Sequence, residues 1–291
     1  PASVVTTGAQ TYNDAIALMR STALQANSLS FVRIESQDPA VNLALQLQTG
    51  QVLRTIDLAG NLTVVTGMGG AQGGVSQQAG TALHIGGTST FTADSKTLQT
   101  AQLNQSNDFV GAVSFDTANS GSWAALSVAD SNDIVLGPVT TTGSLNVAVN
   151  SGSITQSSGV LDVGGSTQLV AAQGNIALTQ ANVFAGAVSV QTIDATLQSA
   201  SPLTLASAQT TGNLTVQTSA QNVVLGQISI GGQMQVATQG GSITQDNTAP
   251  TFVVQGTTAL NTAGGDITLT NPVNRFVDVL TLQARDATVL T

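Results

Sequence analysis

Cysteine is absent from this chain, and histidine, tryptophan and tyrosine each occur once in 291 residues. Without thiols there can be no disulfide, no thiolate metal ligand and no cysteine nucleophile, which suits a secreted protein that must not mispair in an oxidising compartment. With His84 as the sole imidazole, a histidine zinc site or a Ser-His-Asp triad would have to run through that one residue. Charge is scarce as well, at 7% of residues, where an ordinary soluble domain has about 25%. The net charge is −9, and the only cations are Arg20, Arg33, Arg54, Lys96, Arg275 and Arg285. None lies between Thr97 and Asn274, so most of the chain cannot neutralise a phosphate backbone, and nucleic acid is excluded as a partner. Anionic membranes and nucleotide phosphates are disfavoured on the same ground. No apolar run approaches the roughly 18–20 residues of a spanning helix, so no membrane-spanning segment is expected. The chain opens at Pro1 rather than Met, as a processed product or a piece of a longer protein would.

Aromatics make up 3% of the chain, yet 41% is apolar and Gly contributes 30 residues. The core must therefore be built from Val, Leu, Ile and Ala, three of which are small enough and stiff enough for stacked β-layers. One phrase recurs: Gly, then Asn, Ser, Asp or Gln, then two apolar positions separated by a polar one. It begins at Gly60, Gly143, Gly152, Gly174, Gly212, Gly232, Gly241 and Gly265, with spacings of 9 and of 20 to 24 residues among neighbouring copies. A five-residue strand plus a turn accounts for the short spacing, and a full coil for the long one. Above this lies a longer period. Ser127–Gln156 realigns with Thr215–Gln245, and Ala101–Phe115 realigns with Ile176–Val190 and, more loosely, with Ile267–Leu282. Three super-repeats of roughly 75–91 residues result.

Within the repeats, apolar and polar residues alternate, the period of a half-buried strand, and helical periodicity is weak throughout. The fold class expected is all-β: a right-handed parallel β-helix, or β-solenoid, of about 14 coils of ~20–22 residues. Residues 1–58 read as less regular N-terminal coils, with a short helix over Ala15–Asn27 as the alternative, and residues 59–291 as the repeat region. Gly67–Gly80 is too rich in glycine for a regular strand and reads as a projecting loop.

Candidate chemistry is thin. Gly67, Gly69 and Gln72 break the dinucleotide fingerprint, no phosphate-loop motif follows, and no nucleotide site is assigned. A polysaccharide-cleaving β-helix needs paired carboxylates about 5–10 Å apart; the nearest pairs are Asp130 with Asp133 and Asp108 with Asp116. The copy of SVADSNDIVLG at TVQTSAQNVVLG carries no carboxylate, with an amide in place of Asp133 and a hydroxyl residue in place of Asp130, so turn chemistry explains them more simply. The glycine-aspartate spacing of calcium-binding β-rolls is missing. His84 occupies the position of Asp162 in the next super-repeat, an outward strand site. Trp123 reads as an apolar plug or a single exposed contact. The N-x-S/T phrases at Asn61, Asn104 and Asn213 follow from the repeat and are assigned no glycan. No catalytic, cofactor or metal residue is therefore nominated, and the chain is read as non-enzymatic.

The GNLTV, GSITQ and GNIAL phrases, the VTTGAQTYNDA opening (Val5–Ala15) and the dearth of charge and cysteine resemble the shaft repeats of filamentous haemagglutinin-like large exoproteins, the β-helical adhesins of two-partner secretion. Asn271-Pro272-Val273-Asn274 does not match the asparagine-rich motifs of that family's secretion module, so the resemblance is to shaft. It implies a Gram-negative cell surface and attachment to cells, matrix or neighbouring molecules, including surface glycans or proteins. Two other functions stay open: a subunit stacking end to end with further copies through open β-helix ends, and a β-helical polysaccharide lyase or hydrolase. The scarcity of charge fits the solenoid, because Thr, Ser, Asn and Gln on outward positions avoid like-charge ladders between stacked strands.

Overall fold

A computed structural model describes all residues, Pro1–Thr291. It is all-β, with parallel strands stacked as a β-solenoid of about 14 turns. No α-helix occurs; the sole helical element is a 3₁₀ turn at Met68–Gly70. The chain forms two compact units, Pro1–Asn150 with Ser157–Gly159, and Ser151–Gln156 with Val160–Thr291.

In the first unit one sheet stacks Ala2–Val5, Thr22–Ala26, Leu43–Leu47, Leu62–Thr66, Ser89–Ala93, Val113–Thr117 and Ile134–Thr141, each parallel to the next. A second sheet stacks Gln51–Leu53, Val75–Gln77, Leu98–Phe109, Ser122–Asp130 and Ser144–Val149. A third, short-stranded side runs Ile16–Ala17, Arg33–Ser36, Thr55–Leu58 and Leu83–Ile85. The helix alternative over Ala15–Asn27 is thus replaced by two strands. Thr and Ala there match the pleat of the following coil, Leu24 stacking on Leu45.

In the second unit Ile154–Gln156, Ile176–Phe184, Ala195–Ser199, Leu214–Thr218, Met234–Ala237, Thr258–Asn261 and Leu280–Gln283 form one sheet. Thr167–Ala171, Val188–Thr192, Leu203–Thr210 and Val223–Ile230 begin the other. Val223–Ile230 then pairs with two short strands, Ile243–Gln245 and Phe252–Val254, which pair in turn with Ile267–Leu269 and Asn274–Phe276.

Period-2 alternation places one side chain of every pair inside. Leu43, Leu45 and Leu47 are buried above Leu62 and Val64, and Leu214 and Val216 above Met234 and Val236. Each such side chain contributes about 1.5–3 kcal/mol by leaving water. The few aromatics are concentrated in the interior. Phe91 stacks on Phe115 at 5.3 Å between ring centroids, and Phe115 meets Trp123 edge-on at 6.2 Å. Trp123 is fully buried and donates its indole N–H to the Asp116 carbonyl at 2.8 Å, so it is a plug and not a surface contact.

The recurring Gly-Asn, Gly-Ser and Gly-Asp corners have a physical cause. Asn42 Oδ1 accepts the backbone N–H of Asn61, and Asn61 Oδ1 accepts that of Thr88, each at 2.8 Å. In the second unit Ser153, Asn175, Asp194 and Asn213 form the same relay, each accepting the N–H of the residue one coil on. The corner side chain therefore satisfies a donor that the sheet ladder leaves free. The preceding glycine makes room: a Cβ on Gly174 would run into the Gly152 carbonyl. Asn61 and Asn213 are structural for this reason.

Gly67–Gly80 departs from the projecting loop expected. Gly69, Gly70, Gln72 and the end at Gln78, Ala79 and Gly80 are exposed, and the rest is covered. Gly67 is buried against Gln99, whose side chain accepts a hydrogen bond from Thr66 Oγ1 at 2.8 Å, Gly74 is buried against Thr100, and Val75–Gln77 is a strand. Gly67 and Gly73 leave room for that amide, and five glycines of the segment, Gly67, Gly69, Gly70, Gly74 and Gly80, adopt positive φ.

Candidate functional site

The most distinctive polar arrangement is internal and occurs three times. At each occurrence one coil is split into two short strands by a loop, while the next coil passes both. In the first unit Val75–Gln77 and Leu83–Ile85 both pair with the twelve-residue strand Leu98–Phe109, whose register with the following coil shifts between Leu103 and Asn107. A bulge of this kind leaves backbone groups without ladder partners. Asn107, fully buried, turns inward there. Gln77 Nε2 donates to Asn107 Oδ1 at 2.7 Å, and Asn107 Nδ2 donates back to Gln77 Oε1 at 3.1 Å. The same Oδ1 accepts the N–H of Leu83, and Nδ2 also faces the Leu103 and Ala129 carbonyls.

The second unit holds two further copies. Gln156 and Asn182 exchange bonds of 2.6 and 3.1 Å, with Asn182 Oδ1 accepting the Leu161 N–H. Gln245 and Asn274 do so at 2.6 and 3.1 Å, with Asn274 Nδ2 reaching the Leu269 and Leu290 carbonyls. These Gln–Asn clamps fasten the split coil to its neighbour. Within the second unit the two lie on different sheets, so their corner loops open on different faces. Sequence reasoning passed over them, although Asn107, Asn182 and Asn274 fall at matching places in the realigned segments.

The charged residues gather on the short-stranded side of the first unit. Glu35, Asp57, His84 and Asp108 are successive partners in one outward column. Arg33 bridges Glu35 at 2.7 Å and Asp57 at 2.9 Å. His84 Nδ1 lies 2.8 Å from Asp108 Oδ2, and Asn132 donates to Asp108 Oδ1 at 3.1 Å. His84 is exposed, as read from the sequence. The like-charge ladder that the composition otherwise avoids is interrupted here by one Arg and one His.

The carboxylate pairs nominated from sequence assemble differently. Asp130 is buried and its two oxygens accept the backbone N–H groups of Phe109 at 2.9 Å and Asn132 at 3.0 Å. Burial pushes its carboxyl above the ordinary 3.8, with the Asp108 charge adding to the rise and those backbone bonds opposing it. It is a backbone cap as well as a turn residue, and in the second unit Ser201 Oγ accepts the Phe184 N–H in the same way. Asp116 is also raised by burial, but its outward column partner is Thr92 and not Asp108. No group of three or more His, Asp or Glu side chains is arranged to hold a metal ion. The clamps, caps and relays satisfy backbone groups, and the chemistry they perform is stacking.

No curated protein and no solved structure matches the chain. Three segments, residues 40–116, 124–191 and 217–283, match the family described as repeats of unknown function, DUF5649. Each segment contains one Gln–Asn clamp: Gln77 with Asn107, Gln156 with Asn182, and Gln245 with Asn274. The first segment begins within the stretch that the sequence marks as less regular. With most of its length in three such matches, the chain belongs to the DUF5649 repeat family.

Proposed function

We propose that the chain is a non-enzymatic structural rod of a bacterial extracellular adhesin or surface filament, carrying attachment or cell–cell and cell–matrix contacts. The observation that carries this reading is the use made of its polar side chains: clamps, corner relays and the buried Asp130 all tie one coil to the next. The resemblance of the repeat phrases to haemagglutinin-like shafts supports the extracellular, Gram-negative setting. Antibody labelling of intact cells that produce the protein tests the location. Surface labelling, with loss of cell attachment on deletion, is expected; labelling only after lysis would overturn it. Incubation with acidic and neutral glycans tests the non-enzymatic part, and any new reducing ends or unsaturated products would overturn that.

A further inference from the structure

The outer face of the second unit carries a groove free of charge. In strands Thr167–Ala171, Val188–Thr192, Leu203–Thr210 and Val223–Ile230, Gln168, Ser189, Ser207 and Gln227 form one outward column, and Val170, Gln191, Gln209 and Ser229 the next. Two adjoining hollows share Gln191 and Gln209; the larger, about 490 Å³, extends past Thr211 and Gln227 to Thr251. No residue lining either hollow is ionisable. The amides of Gln191 and Gln209 are exposed and make no hydrogen bond within the protein, whereas Gln77, Gln156 and Gln245 are fully engaged in clamps.

We propose that this groove binds a neutral, hydroxyl-rich polysaccharide laid along the stacking direction, an inference that rests on the surface-exposed reading above. Each free amide offers two donors and one acceptor, and the amides recur at the strand spacing of about 4.8 Å. Their ligand must supply both donors and acceptors repeatedly and must be extended. An anionic chain would find no cation in the groove and a protein of net charge −9 around it. A peptide strand adds to a sheet edge and not to a face. A neutral glycan meets every condition. The groove contains no aromatic platform, so binding rests on hydrogen bonds repeated along the chain and strengthens with oligosaccharide length.

The test is titration of the ¹⁵N-labelled full chain with cellohexaose, laminarihexaose, mannohexaose and xylohexaose, with hexagalacturonate and an uncharged Ser/Gly hexapeptide alongside. At least one neutral hexamer is expected to shift the Gln191 and Gln209 side-chain amides and to bind about tenfold tighter than its disaccharide. The Gln191→Ala/Gln209→Ala variant, substituted only on the surface, is expected to keep its melting temperature and lose about tenfold in affinity. Binding of no neutral hexamer at about 10 mM, well above a millimolar Kd, would overturn the inference. So would binding that survives the double variant, or a preference for the galacturonate or the peptide. Failure here leaves the cell-labelling result for the rod untouched, and the two readings fall separately.

Discussion

Gln77 and Asn107, thirty residues apart in sequence, exchange both of their amide hydrogen bonds across adjacent coils. The pair closes a gap that the backbone cannot close. The strand bearing Asn107 shifts register as it passes a split coil, and the amide of Asn107 takes over for the missing ladder bonds at Leu83, Leu103 and Ala129.

Replacing Asn107 by Ala strands the Leu83 N–H and leaves the Gln77 side chain with only the Thr81 carbonyl and the Gln105 N–H. Asn107→Ala is expected to destabilise the first unit by about 2–4 kcal/mol, the sum of one lost buried network and the groups left unsatisfied. Trp123, the sole tryptophan and fully buried in that unit, reports the change as a lower denaturant midpoint in its emission. Asn182→Ala should leave the Trp123 transition nearly unmoved, because its clamp lies in the second unit.

Asp130 sets a pH dependence. Its carboxyl is raised above 3.8 by burial, so the folded state takes up a proton more readily than the unfolded chain. The stability linked to it is fully present below 3.8 and is lost as pH rises through the raised value. The melting temperature of the native protein relative to Asp130→Asn is therefore expected to climb as pH falls from 7 toward 4. A parallel pair of pH profiles would contradict this.

Three buried hydroxyls, Ser89, Thr167 and Thr258, have no hydrogen-bond partner within the protein. Each opens the strand that follows a clamped corner and faces apolar neighbours, Val113, Val188 and Leu280 respectively. Thr167→Val and Thr258→Val keep the shape and remove an unsatisfied group. Each is expected to stabilise the second unit by about 0.5–2 kcal/mol, measured by chemical denaturation followed by far-ultraviolet circular dichroism.

The stacked strands and their corners were legible because both are local patterns: alternation over five residues, and a small residue followed by Asn, Ser or Asp. The clamps were not. A Gln or Asn within a strand reads as outward, and only a register shift against the following coil turns Asn107 inward, toward Gln77. Val75–Gln77 was hidden for a similar reason, since the glycines before it look like a loop until Gln99 is placed beneath them. Asp130 was read from its sequence context as a turn residue, and its capping of the Phe109 N–H depends on the adjacent coil.

Each coil of this protein is secured to the next by its clamps and corner relays. Pulling single molecules from their two ends tests it most directly. A solenoid built this way should resist and then release in successive steps, each about one coil or a few, where one coil of ~21 residues at ~3.3–3.6 Å per residue frees roughly 70 Å. Asn107→Ala should lower the force of the early releases. Extension of the whole chain in one event at negligible force, unaffected by loss of the clamp, would contradict it.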